Sequence, residues 1–306
     1  HPMRLIEELG ITDYLGPFYF QVDTVQDAKS AVHKIVDANT DGIKIFHSRA
    51  ESGTTRVDSD RNKLKYEVLR VLIEEAHAHE KIVYAHISSP SEAREFIEAG
   101  GDVIVHSIHT AETGVDEILQ LMAARNVYYI PTLSVFEGDY LLKSDLFFIA
   151  QLHNKVWDVF LDSVTDQQGA VVSRRHIAGF RNDSLRSLDV AKGNLRRAIG
   201  AGVKIVMGSD AGNAGMLHGA TVIREFQLMQ EAGMTPMQII VAATKNGAEM
   251  MGRVEHLGTV EAGKLADIIV VNGHPLKNIS DLGNVELVIQ NGTFIDPKML
   301  SFRQMP

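Results

Sequence analysis

The sequence contains no cysteine, which excludes disulfide bonds, thiolate metal sites and a cysteine nucleophile. It also lacks any apolar run approaching the roughly 20 residues that a helix needs to cross a bilayer. Residues 1–15 lack the apolar core of a signal peptide. Together these absences predict a cytoplasmic protein, although the lack of cysteine does not by itself fix the compartment.

Basic residues are fewer than acidic ones, 30 against 39, which gives a formal net charge of −9. This balance argues against nucleic acid or an anionic membrane as the main partner, because both attract basic surfaces. We expect a small-molecule substrate instead. With 45% hydrophobic and 23% charged residues over 306 positions, the chain can bury one large core and a smaller one.

Short apolar runs alternate with helical patterns between about residues 16 and 210. Strands are predicted over 43–46, 82–86, 103–106, 127–133 and 203–208, with PFYFQV (17–22) as a sixth candidate. Helices are predicted over 22–39, 66–80, 90–100, 116–126, 220–232 and 236–251, with caps at Asp23 or Thr24 and at Ser88 or Ser89. This alternation implies a parallel sheet with right-handed crossovers.

Two stretches depart from the alternation. Residues 134–200 have a helical pattern without a strand signal and are interpreted as an insertion. After residue 256 the sequence becomes rich in strand patterns, with Asn291–Gly292 indicating a tight hairpin. We therefore predict an α/β chain in which residues 1–256 form an incomplete (β/α)8 TIM-type barrel and residues 257–306 a small β-strand tail, since a closed barrel needs eight strands.

Four polar residues lie at or near the ends of predicted strands: Lys44, His86, His106 and Asp210. Catalytic groups of β/α barrels come from the carboxyl ends of the strands, so this placement predicts a metal-dependent hydrolase. Imidazole is a common zinc ligand, and an aspartate can accept a proton from water. Each residue alone also fits a plainer role, the lysine in a salt bridge and each histidine as a hydrogen-bonded core residue.

Several segments together resemble the amidohydrolase superfamily, in particular its imidazolonepropionase-like and prolidase-like metal-dependent hydrolases. They are GIKIF, YAHISSPSEA, GGDVIVHS, YIPTL, MGSDAG, AATKNGAEMMG and GTVEAGKLADIIVV. The resemblance covers nearly the whole chain, and it implies roughly strands four to eight of the barrel with a small C-terminal β element of the family's composite domain. It implies cleavage of amide, peptide, cyclic amide or ester bonds.

The resemblance also implies roles for individual residues. Lys44 matches a lysine that is carbamylated by CO₂ and ligates metal, and His86 and His106 match metal-ligating histidines. Asp210 matches the aspartate that takes a proton from water. His218 matches a histidine that precedes a glycine in many relatives, and we expect it to contact the substrate, with a structural role in the loop as the alternative. We also expect Tyr129 to line the substrate pocket, with core packing as the alternative.

The family's first barrel strand carries a His-x-His motif, and no such motif precedes Lys44. The His-Ala-His of residues 77–79 falls within a predicted surface helix. We therefore predict one zinc ion held by Lys44, His86 and His106, with a second metal as the alternative. A second hypothesis is a truncated, non-catalytic or assembly-dependent fragment. Open sheet edges predict a homo-oligomer under either hypothesis.

Overall fold

The computed structural model describes residues 20–48, 63–110, 113–137, 181–211, 216 and 218–295. These residues fall into two compact units. The first comprises residues up to 130 together with 201–203, and the second comprises the remainder. None of the described helices is long and apolar enough to cross a membrane.

The first unit contains a four-stranded parallel sheet. Its strands are β1 (Gly42–Phe46), β2 (Ile82–His86), β3 (Val103–Val105) and β4 (Tyr128–Ile130), arranged in the order 1-2-3-4. The register places Phe46 beside His86 and His86 beside Val105. Four of the predicted strands are thus confirmed as neighbours in sequence order, while the incompleteness of the barrel stays a prediction.

One helix precedes β1 and three more connect the strands in turn. They are α1 (Val25–Asp37), α2 (Tyr66–Ala78), α3 (Pro90–Glu98) and α4 (Val115–Arg125). Thr24 caps α1 and Ser89 caps α3, each in a reciprocal capping box with the acidic residue three positions later. Of the candidate caps, Thr24 rather than Asp23 begins α1, and Ser89 rather than Ser88 begins α3.

The parallel sheet has one buried face and one partly open face, because side chains alternate along each strand. The buried face carries Ile43, Ile45, Val83, Ala85, Ile104 and Tyr129. Buried helix residues such as Leu69, Phe96 and Leu119 complete the core of this unit. The other face carries Lys44, Phe46 and His86, and Phe46 remains 39% exposed there.

The second unit combines helices with a small antiparallel sheet. The helices are α5 (Arg181–Gly200), α6 (Ala220–Glu231), α7 (Pro236–Ala243) and α8 (Lys245–Met250). The strands are β5 (Ile268–Val271), β6 (Val285–Gln290) and β7 (Thr293–Ile295), with a 3₁₀ helix over Ile279–Gly283. Asn291 and Gly292 connect β6 to β7 with φ values of 47° and 76°, as a two-residue hairpin turn requires.

Two elements differ from their prediction. Residues 203–208 form no extended strand: Ile205 makes a single β-bridge, Met207 N–H donates to the Ala242 carbonyl, and the Asn246 amide donates to the Ile205 carbonyl. The main chain of α7 and the side chain of α8 therefore help to hold this segment. The helix predicted over 236–251 breaks at Thr244, whose ψ of −85° lies outside the helical range.

Other predictions fall partly outside the described residues. In the candidate strand PFYFQV, residues 20–22 form no strand and 17–19 lie outside. Only 134–137 and 181–200 of the predicted insertion are described, and 181–200 is helical. The predicted boundary between residues 256 and 257 stays a prediction.

Candidate metal centre

His86 and His106 lie side by side where two neighbouring strands end. His86 is the last residue of β2, and His106 follows the last residue of β3, whose strand pairs with β2. Their ring centroids are 4.5 Å apart, with the planes inclined at 63°. The structure therefore brings together the two histidines that the sequence predicted as a pair.

Both imidazoles are held in their neutral form. Burial, followed by the nearby charges of Lys44 and His109, lowers the pKa of His86 to about 4. Burial, followed by His86, Lys44 and His109, lowers the pKa of His106 to about 2. A neutral imidazole keeps a ring nitrogen with a lone pair, which is the form that binds metal. The pair therefore suits a divalent transition-metal ion such as zinc.

Lys44 lies on the same face of the sheet as His86. Its Nζ is 5.6 Å from the centroid of the Phe46 ring. Its positive charge contributes to lowering the pKa of both histidines, so the three groups are electrostatic neighbours. An ammonium has no lone pair to offer, and Lys44 would join a metal site only after losing its proton or reacting to a carbamate.

His106 is held in an unusual backbone conformation. Its φ is 73°, in the left-handed region that costs a residue other than glycine about 1 kcal/mol. Its main-chain N–H donates to the Ile130 carbonyl at 2.9 Å, which fixes the residue against β4. Such strain is typical of functional sites, and here it falls on a predicted ligand.

His109 is a third histidine that is an electrostatic neighbour of His86 and His106. Its charge lowers the pKa of both His86 and His106. His109 Nδ1 lies 2.8 Å from the Ser107 carbonyl oxygen. Because a carbonyl can only accept, His109 Nδ1 carries a proton and donates it to this oxygen. The spacing His106-x-x-His109 was the available signal for this residue.

His47 was not identified from the sequence. Its main-chain N–H donates to the His86 carbonyl at 3.2 Å, which ties the ends of β1 and β2 together. Its fully buried side chain contacts Glu95 through Nε2 at 3.1 Å, and Glu95 also accepts from Lys63 at 2.6 Å. Burial, opposed by Glu95, lowers the pKa of His47.

Glu92 holds the loop that follows His86. This buried carboxylate accepts hydrogen bonds from the main-chain amides of Ser88 and Ser89, both at 3.0 Å, and from the Ser48 hydroxyl at 3.3 Å. The capping-box spacing of Ser89 and Glu92 was visible in the sequence, although the bond from Ser48 was not. The loop beside the histidine pair is therefore rigidly supported.

Tyr129 lies on the opposite face of the sheet from Lys44 and His86. It is fully buried, and its hydroxyl accepts a hydrogen bond from the Ile108 main-chain N–H at 3.2 Å. Burial raises its pKa to about 12. These contacts support the loop after β3, and a contact between Tyr129 and substrate stays a prediction.

The remaining predicted residues belong to the second unit. Asp210 and His218 are both exposed. Asp210 has a φ of 51°, again in the left-handed region. The carbonyl of the preceding Ser209 accepts a hydrogen bond from the Ser134 hydroxyl at 3.3 Å. The roles predicted for Asp210 and His218 stay predictions.

Glu225 supports the same part of the second unit and was not identified from the sequence. It is fully buried on α6 and accepts hydrogen bonds from the main-chain amides of Leu133 at 2.9 Å and Ser134 at 2.7 Å. Burial raises its pKa from 4.5 to about 7, although the bonds from Ser134 and Leu133 oppose the rise. Its carboxyl therefore anchors the segment that contacts Ser209.

This buried carboxyl predicts a pH-dependent stability. A raised pKa means that the folded state binds the proton more tightly, so the stabilisation is complete below about pH 4.5 and is lost as the pH rises through about 7. The free energy of unfolding of the unsubstituted protein, relative to that of Glu225→Gln, should fall by up to about 3 kcal/mol between these limits. Urea unfolding at a series of pH values measures this difference, and parallel pH profiles for the two proteins would contradict the assignment.

Comparison with known proteins identifies the family that this chain matches. The model of the amidohydrolase family matches residues 18–295. An ochratoxinase from Aspergillus niger is 26% identical over 261 residues, covering 84% of this chain and 46% of its own length. An imidazolonepropionase from Porphyromonas gingivalis is 34% identical over 104 residues, covering 33% of this chain and 24% of its own length.

Solved structures show the same similarity. A Xaa-Pro dipeptidase with methionine bound in its active site superposes with a TM-score of 0.66 at 26% identity, covering 90% of this chain and 59% of its own. The A. niger ochratoxinase superposes with a TM-score of 0.66 at 24% identity, covering 90% of this chain and 55% of its own. The chain thus spans about half the length of these relatives.

Proposed function

The chain belongs to the amidohydrolase family, and from that membership we propose that it is a metal-dependent hydrolase of amide or peptide bonds. Cyclic amides and esters fall within the same proposal, because they present the same type of carbonyl carbon to an attacking water. The relatives named an ochratoxinase and a Xaa-Pro dipeptidase favour an amide or peptide as the first class to test.

The observation that carries this proposal is the neutral histidine pair. His86 and His106 would hold the metal, with Lys44 as a carbamate providing a third ligand. When bound, zinc would supply a Lewis acid and lower the pKa of a coordinated water to about 7. Partial burial of both imidazoles lowers their pKa values and so keeps their lone pairs available at neutral pH.

The chain's other residues have supporting roles in this proposal. Asp210 would accept the proton from the attacking water and return it to the leaving amine. His218 would contact the substrate. Glu92 would hold the loop after His86 through its bonds to Ser88 and Ser89, so that the imidazole keeps one orientation.

Metal analysis and a substrate panel test the proposal together. Protein supplied with Zn²⁺ and bicarbonate, then freed of loose metal, should retain about one equivalent by elemental analysis. It should hydrolyse members of a panel of N-acyl amino acids, Xaa-Pro dipeptides, lactams and esters. A preparation that retains no metal and hydrolyses nothing in the panel would overturn the proposal.

The exposed ring of Phe46 favours a second candidate, a fragment that acts only within an assembly. Phe46 is 39% exposed on the face that carries Lys44 and His86, so further chain could cover this face. Mass measurement in solution separates the two candidates. A monomer that turns over substrate excludes the assembly-dependent fragment, whereas turnover confined to oligomeric fractions favours it.

A further inference from the structure

A second group of metal-binding side chains lies on the outer helices of the first unit. His33 on α1 and Glu75 and His79 on α2 place one ligand atom each within 4.8 Å of one another. His79 follows the last residue of α2, one helical turn after Glu75. Because α2 leads into the start of β2, this group lies towards the opposite end of that strand from His86.

We propose that His33, Glu75 and His79 form a separate, structural site for a divalent transition-metal ion of the zinc type. Two imidazoles and one carboxylate suit zinc, with water completing the four-coordinate shell. The proposal is independent of the hydrolase function, since none of the three residues belongs to the centre at Lys44, His86 and His106.

The separations of the ligand atoms fit such an ion. Two ligands of a tetrahedral zinc lie ~3.3 Å apart, given Zn–N distances of ~2.0–2.1 Å. Glu75 Oε1 lies 2.8 Å from His33 Nε2 and 3.7 Å from His79 Nε2, which brackets that value. The two imidazole rings meet edge to face, with centroids 5.2 Å apart. Small rotations of these exposed side chains would bring the three atoms around one ion.

Glu75 supplies the ionised carboxylate that such a site needs. The hydrogen bond from His33 and the neighbouring Lys29 lower the pKa of Glu75, which keeps its carboxylate ionised. Lys29 Nζ lies 3.4 Å from Oε2, so the lysine can hold one oxygen while Oε1 meets the metal. Binding would displace the proton that His33 Nε2 donates to Glu75, and this proton would leave to solvent.

A metal at this position would connect α1 to α2. The two helices already pack against each other, and each carries buried residues, such as Val32 on α1 and Leu72 on α2. An ion that binds only the folded arrangement of both helices stabilises that state in proportion to its occupancy. The expected result of occupancy is a higher melting temperature without a change in the rate of hydrolysis.

Zinc titration of the full chain tests the site. The protein with metal in its candidate active centre is dialysed and titrated with Zn²⁺ by calorimetry, and its melting temperature is followed. The unsubstituted chain should bind one further equivalent and melt about 4 °C higher at free Zn²⁺ about 100 times the dissociation constant. His33→Ala/His79→Ala should lose both effects.

A matched variant removes another exposed histidine from the same helix. His77 has a side chain 42% exposed, against 38% for His79, and contacts Asp102 instead of Glu75. His77→Ala should keep the further equivalent and the rise in melting temperature. Glu75→Gln provides a second test should the double variant fold poorly, and should also lose the further equivalent. Equal binding and equal melting shifts in the unsubstituted and double-variant proteins would overturn the proposal.

The two metal centres can be told apart by combining variants. His86→Ala/His106→Gly should keep the zinc-dependent rise in melting temperature, because it leaves the helix residues intact. If instead that variant abolishes the rise, the effect belongs to the candidate active centre and the helix site is excluded. A chain without hydrolase activity would still report on the helix site through the same titration.

Discussion

Replacing His86 with alanine and His106 with glycine is expected to abolish the metal bound at the candidate active centre and to lower kcat/KM by more than ~1,000-fold. In the proposed centre the two imidazoles would be the nitrogen ligands, and without them Lys44 would have neither histidine beside it to share a metal. Glycine is chosen at position 106 because the φ of 73° disfavours alanine there. Elemental analysis and steady-state kinetics on the best substrate measure the two effects.

The control for this variant is His77→Ala, which removes a histidine from the surface of α2. It should keep the metal of the candidate active centre and full activity. Circular dichroism of the double variant should match that of the unsubstituted protein, so that lost activity reports lost ligands. Retention of metal and activity in a folded double variant would exclude the histidine pair as the centre.

Replacing Asp210 with asparagine should lower kcat by ~10²- to 10⁴-fold while leaving the metal content unchanged. Asparagine keeps the size of the side chain and tolerates the φ of 51°, but it cannot accept a proton from water. Stopped assays with the same substrate give kcat and KM, and KM should change much less than kcat.

Asp37→Asn is the matched control, because Asp37 is an exposed aspartate at the end of α1. It should leave kcat unchanged. If Asp210→Asn keeps kcat within about twofold of the unsubstituted enzyme, Asp210 is not the proton acceptor. Loss of metal together with activity would instead assign Asp210 to metal binding or to the fold.

Local signals in the sequence accounted for much of the first unit. The Thr24–Asp27 and Ser89–Glu92 spacings satisfy the first amides of α1 and α3, and such caps act within a few residues. The apolar runs that end at His86 and at His106 form neighbouring strands, because parallel strands joined by one helix tend to pair. The proximity of the two histidines followed from that pairing alone.

Signals that depend on a distant partner were harder to interpret. An apolar, β-branched run such as 203–208 fits either a ladder strand or a buried extended segment, and the hydrogen bonds of Ala242 and Asn246 decide for the latter. The face occupied by Tyr129 depends on the register of β4, which sequence alternation alone leaves open. The buried carboxyl of Glu225 satisfies amides about 90 positions away, beyond the reach of any local pattern.

The left-handed backbone at His106 has a consequence for engineering the protein. A glycine there would adopt the same φ of 73° without steric cost, so a histidine at this position costs some folding free energy. Laboratory selection for heat resistance without selection for turnover would therefore tend to remove this side chain first. Thermostable derivatives that keep this histidine should be sought through changes at exposed helix positions instead.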